Sequence, residues 1–252
     1  MSRRVPEGPP PPPVVQRVRL RYAKRGRLRF TSHRDFARAF ERALRRARVP
    51  MAYSAGFTPH PKISYVGAAP TGVASEAEYL EIGLAQHVEI DELRAAVDAA
   101  LPEGLDIVEA VEASGGSLAE RMDATAWRVE LDDVDPDLLA GVVASFLARS
   151  EVGVERLTKD GRKIVDARAP VLAASVTAES GGRAIMDLVV RLETPAVRPD
   201  DVLAALRTVA GLARDAPRWH YRAARLAQGP LDGFGAIGDP FAVDRMTRGA
   251  TS

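Results

Sequence analysis

The chain has 252 residues, 46% hydrophobic and 27% charged, ordinary proportions for globular protein, and at roughly 100–200 residues per domain two domains are expected. It contains no cysteine, which excludes disulfides, a cysteine nucleophile and a thiolate-held iron–sulfur cluster supplied by this chain. The formal net charge of +1 hides an asymmetry: residues 1–62 hold 16 Lys or Arg against 3 Asp or Glu, the remainder 19 against 31, so the two parts stand at +13 and −12. Such a separation of sign points to a region that faces a polyanion.

Pro6 and Pro9 to Pro13 stand where a signal peptide needs an apolar core, and no run approaches the ~18 apolar residues of a membrane span. A cytoplasmic protein without a membrane partner is expected, with a disordered Pro-rich leader over 1–13. From Arg17 to Tyr22 the residues alternate, Val18, Leu20 and Tyr22 on one face and Arg17, Arg19 and Arg21 on the other. This is the period of a half-buried strand with an arginine outer face. A basic turn, Lys24-Arg25-Gly26-Arg27, leads to a short extended piece over 28–30. Ser32 with Asp35 three positions on predicts a helix start. At ~100° per residue that helix gathers Phe36, Phe40, Ala43, Leu44 and Ala47 on one face and Arg34, Arg38, Arg42, Arg45 and Arg48 on the other. Pro50 stops it.

A loop over 53–62 is stiffened by Pro59 and Pro61. Strands are predicted over 63–66 and 78–84, a helix over 90–101 and a strand over 105–111. The order is βαββαβ, the ferredoxin-like plan, for a first domain over 14–113. Ser114-Gly115-Gly116-Ser117 reads as a boundary. The second domain, 118–228, reads as the same plan with additions: strands over 126–131, 152–157, 163–167, 171–177, 184–192 and 218–226, helices over 136–148 and 199–210. Turns are predicted at Asp160-Gly161 and Gly181-Gly182. Residues 229–252, Gly- and Pro-rich at first, read as a loose tail. The fold class expected is therefore α+β, with tandem ferredoxin-like domains.

The candidate site is a polyanion-binding surface, expected to meet RNA, made of Arg17, Arg19, Arg21, Lys24, Arg25, Arg27, Arg34, Arg38, Arg42 and Arg45. Charged strand and helix faces are commonplace, but they usually mix signs; a face of one sign repels itself unless a partner relieves it. Arginines fork onto phosphate oxygens. Tyr53 and Phe57 are placed to stack on bases or, equally, to plug the core. His60 and Lys62, in the stiffened loop, complete the set. His33 at the helix start reads as a local hydrogen-bonding residue, and His87 and His220 as structural or exposed. The four histidines lack zinc-motif spacing, Glu76, Glu78 and Glu81 read as surface residues, and no phosphate-cradling glycine motif is present, so no metal, cofactor or catalytic residue is assigned.

The segments RYAKRGRLRFTSHRDFARAFERALRRARVP and YSAGFTPHPKISYVGAAPTGVASEAEYLEI resemble, over roughly 17–84, the radical SAM-linked protein family. This is a domain of unknown function whose members are encoded beside, or fused to, a cobalamin-binding-type radical SAM protein, often near genes for an E/G-type ribonuclease and ribosomal proteins. The resemblance transfers no catalytic residues. Taken with the arginine surface, it implies an accessory protein that holds tRNA or rRNA for a radical SAM RNA-modifying enzyme, an enzyme that a cysteine-free chain can serve but cannot itself be. Two other readings stand beside it: a module docking an acidic protein partner, and a metal-independent endoribonuclease using His33 or His60 with Lys62. The tandem plan is similar to that of CRISPR repeat-processing endoribonucleases, although their glycine-rich loop is missing.

Overall fold

The computed structural model describes residues 11–158, 161–179, 183–213, 216 and 218–249. The leader up to residue 10 and the predicted turns at Asp160 and at Gly181-Gly182 lie outside them. The fold is mixed α+β, its strand pairs antiparallel within each of two compact units.

The first unit comprises residues up to Glu120 together with Pro240 onward. Its elements are β1 (Gln16–Lys24), α1 (His33–Arg46), β2 (Ile63–Val66), β3 (Ala74–Leu84), α2 (Ile90–Ala100), β4 (Leu105–Glu112) and α5 (Ala242–Gly249). The sheet order is β4-β1-β3-β2. Alternation in β1 sends Val18, Leu20 and Tyr22 into a core shared with Phe36, Phe40 and Leu44 of α1 and with Leu93 and Val97 of α2. Tyr22 stacks on Phe36 with ring centroids 4.2 Å apart. Each such side chain, removed from water, contributes about 1.5–3 kcal/mol before the cost of ordering it.

α1 begins as its sequence indicates: the Ser32 hydroxyl accepts from the Asp35 amide at 3.2 Å and donates to the Asp35 carboxylate at 2.7 Å. The segment predicted to be extended over 28–30 is instead part of a 3-10 turn, Gly26–Phe30, entered through a positive φ of 53° at Gly26. β3 starts at Ala74, four residues before its predicted beginning.

The second unit runs from Arg121 to Asp239, so the boundary falls at 120/121. It contains β5 (Ala124–Leu131), α3 (Pro136–Leu147), β6 (Gly153–Thr158), β7 (Gly161–Asp166), β8 (Val171–Ala178), β9 (Ala184–Arg191), α4 (Pro199–Val209) and β10 (Tyr221–Gly229). Its sheet order is β10-β5-β9-β8, with β6 and β7 a separate hairpin. Asp135 caps α3 through the amides of Asp137 and Leu138, with Pro136 at the favoured first position. Leu139, Val143 and Phe146 of α3 and Val202 and Leu206 of α4 are buried, as are Val129, Met186, Leu188 and Val190 of the sheet.

The chain beyond Gly229 departs from the loose tail its composition suggests. Residues 242–249 form α5, which lies against β4 and buries Asp244 in the first unit.

Candidate nucleic-acid interface

The structure divides the basic residues of 17–62 into two groups. On β1, the face opposite the helices is not an open arginine surface. Arg19 is 1% exposed. Its Nε donates to Glu81 of β3 at 2.9 Å, its Nη1 to Asp244 of α5 at 2.8 Å, and its Nη2 to the Gly116 carbonyl. Arg17 pairs with the same Glu81 at 2.9 Å, and Arg21 lies 3.5 Å from Glu109 of β4. The expectation of an outward arginine strand is thereby corrected at Arg19, which is buried, and in part at Arg21; Arg17 stays exposed, although its guanidinium is paired. Register places Glu81 across from Arg19 and Glu109 across from Arg21, so the neighbouring strands supply countercharge, and α5 supplies the rest.

The turn after β1 is largely consumed as well. Lys24 is buried, its Nζ 3.3 Å from the Pro70 carbonyl. Arg25 donates to Glu76 and to Asp106, the latter at 2.7 Å. The Glu76 hydrogen bond is the main reason its guanidinium is held above its ordinary value. Arg27 is exposed.

On α1 the arrangement is different. Arg34, Arg38, Arg42 and Arg45 are all exposed. Arg38 and Arg45 meet carboxylates only loosely, Asp35 at 4.0 Å and Glu41 at 3.8 Å, while both guanidinium groups stay more than half exposed. Contacts of this kind at the surface contribute little and leave the cation available. Arg34 and Arg42 make no ion pair among the described residues. Helical rise spaces Arg34, Arg38 and Arg42 at about 6 Å intervals along the axis. Two arginines outside the candidate set extend the row at its C-terminal end: Arg46, donating to the Ala100 carbonyl at 3.2 Å, and Arg48.

The loop over 53–62 leaves and returns at that same end. The Ala52 amide bonds the Gly83 carbonyl, and the Lys62 amide bonds the Ala52 carbonyl at 2.8 Å. A backbone bridge joins Tyr53 to Pro61, and the Ser54 hydroxyl accepts from the His60 amide at 3.0 Å. So closed, the loop holds Tyr53, Phe57, His60 and Lys62 outward; Phe57 is 70% exposed, which rules out the core-plug reading for it. At the other end of α1, Phe30 is 60% exposed with the Arg29 guanidinium 4.7 Å from its ring centre. Phe30 escaped the sequence reading because 28–30 reads as a short extended piece, whereas the chain there forms a 3-10 turn that leaves the ring in solvent.

Of the acid–base candidates, His60 and Lys62 share the loop and are both exposed. The His33 ring meets Tyr65 edge-on at 4.8 Å. Burial, and next the Glu41 charge, push the Tyr65 phenol well up, so it stays neutral and cannot serve as a base. His33 and the His60–Lys62 loop lie at opposite ends of α1. Among the described residues no cluster of His, Asp or Glu could hold a metal ion, and no helix is long and apolar enough to cross a membrane.

Comparison with solved structures returns weak likenesses. One is to a chain of a Cbf5-Nop10-Gar1 complex, with a TM-score of 0.46 at 10% identity, over 90% of this chain and 55% of that one; this chain thus spans about half the length of that relative. Another is to DypB from Rhodococcus jostii RHA1, with a TM-score of 0.21 at 13% identity, over 90% and 96% of the two chains. A DypB variant in complex with manganese gives a TM-score of 0.20 at 14% identity, over 78% and 84%. No curated protein matches the chain. Residues 17–199 match the model of a family described as an uncharacterized protein conserved in bacteria (DUF2344), and the chain belongs to that family.

Proposed function

We propose that the protein is an RNA-binding accessory factor that holds its RNA along α1. The observation that carries this is the row of exposed guanidinium groups on Arg34, Arg38, Arg42 and Arg45, which the fold leaves with at most loose carboxylate contacts while it neutralises the arginines of β1. A fold that places carboxylates opposite one set of arginines and not another keeps the second set for an external anion. Phosphate is the anion that a linear row of forked donors suits. The RNA would be a tRNA or rRNA, and the protein would serve a radical SAM modifying enzyme; that partnership rests on the resemblance carried by residues 17–84. The matching strand orders, β4-β1-β3-β2 and β10-β5-β9-β8, support reading the two units as tandem ferredoxin-like domains, the second with the β6–β7 hairpin added.

The test is a filter-binding assay with total tRNA and rRNA fragments. Arg38→Glu combined with Arg42→Glu should lower affinity at least tenfold, since each reversal replaces an attraction by a repulsion. Arg17→Glu, next to an existing Glu81 pair, should have a smaller effect. Unchanged binding in the double variant sinks the proposal. Co-purification of an acidic protein that survives nuclease treatment, with no bound RNA, would favour a docking module instead.

A further inference from the structure

Resting on the proposal that α1 binds RNA, we infer that the ligand is a single-stranded segment, laid along α1 with unstacked bases on Phe30 and Phe57 at its two ends. The two most exposed aromatic rings of the first unit lie at opposite ends of the arginine row. Phe30 is 60% exposed two residues before the Ser32 cap. Phe57 is 70% exposed at the tip of the loop that closes on Ala52 and Lys62 beyond the helix C-terminus. Neither ring has an apolar reason to face water. Phe30 carries Arg29 on one face, 4.7 Å from the ring centre, and a base on the other would complete a stack of the kind single-strand binders build. Phe57 sits in a segment stiffened by Pro59 and Pro61, which lowers the entropy lost on holding a base.

A duplex fits this surface poorly. Its paired bases offer no face to an aromatic ring, and its deep major groove is too narrow for side chains to read. Proteins that recognise duplex RNA by shape contact successive grooves over ~16 base pairs. The row from Arg34 to Arg45 is a single line of about 17 Å. Four phosphates of one strand, with a base turned out at each end, match its length and its composition.

Fluorescence anisotropy with a labelled twelve-nucleotide oligouridine and a blunt twelve-base-pair RNA duplex provides the test. The single strand should bind at least tenfold more tightly. Phe57→Ala and Phe30→Ala should each weaken single-strand binding about tenfold and leave the weaker duplex binding unchanged. Both rings are exposed, so folding, followed by circular dichroism, should not change. Equal or tighter duplex binding, or single-strand binding indifferent to both substitutions, overturns the inference. If Arg38→Glu with Arg42→Glu still abolishes that binding, the proposed RNA function survives without it. If neither RNA binds the wild type, the function itself fails.

Discussion

Arg48 occupies the position just past the end of α1 that helices most often give to glycine. Its φ is +53°, and the amides of Arg48 and Val49 bond the carbonyls of Arg45 and Leu44 at 3.1 and 3.0 Å, the Schellman arrangement. A side chain there costs roughly 1 kcal/mol relative to glycine. Arg48→Gly should therefore raise stability by about that amount in urea titration. At Asp166 the balance concerns a proton. Burial alone would raise this carboxyl, but the amides of Val152, Arg168 and Ala169 and the Arg168 charge outweigh it and hold it below its ordinary value. A depressed carboxyl stabilises the fold above its unfolded pKa of about 4 and loses that contribution as pH falls through its folded value. Thermal scans should show wild type more stable than Asp166→Asn at pH 7, with the gap closing in more acidic buffer.

α5 fastens the open face of the first unit's sheet. Its Asp244 accepts from Arg19 and from the Ser114 amide, both at 2.8 Å, with the Arg19 side chain 2% and the Asp244 side chain 0% exposed. Removing one member of a buried pair strands the other, at a cost of about 3–5 kcal/mol. Asp244→Ala should show that loss in denaturant titration, whereas Arg245→Ala, which breaks a half-exposed contact to Glu109, should cost no more than about 1 kcal/mol. The contrast also marks what was legible in the sequence. Alternation from Arg17 to Tyr22 told which residues share a face, and the Ser32 cap and the apolar stripe of Phe36, Phe40 and Leu44 located α1 correctly. Periodicity along one segment carries no information on what covers its other face. The cover came from Glu81, Glu109 and Asp244, up to 225 residues away, the last on a helix too short and polar to stand out. The row on α1 was legible because its countercharges, Asp35 and Glu41, lie within the same helix, where their scarcity can be read directly.

For the whole molecule, the charge asymmetry acquires a mechanical meaning. Part of the acidic excess after residue 62 neutralises β1 and its turn through Glu76, Glu81, Asp106, Glu109 and Asp244. Among the described residues, the exposed basic groups of 17–62 that lack a close carboxylate lie on α1, at Arg27 and Arg48 and on the loop ending at Lys62. The salt dependence of binding measures that division. Each phosphate neutralised on a single strand contributes about −0.7 to the slope of log affinity against log salt. Arg34, Arg38, Arg42 and Arg45 alone give a slope of about −3, and engagement of every basic side chain from Arg17 to Lys62 would give about −10. A slope near −3 between 50 and 300 mM salt, falling towards −1.5 in Arg38→Ala with Arg42→Ala and unchanged in Arg17→Ala, is the expected result. A slope near −10 would mean that the pairs on β1 open when RNA binds and that the strand face joins the interface.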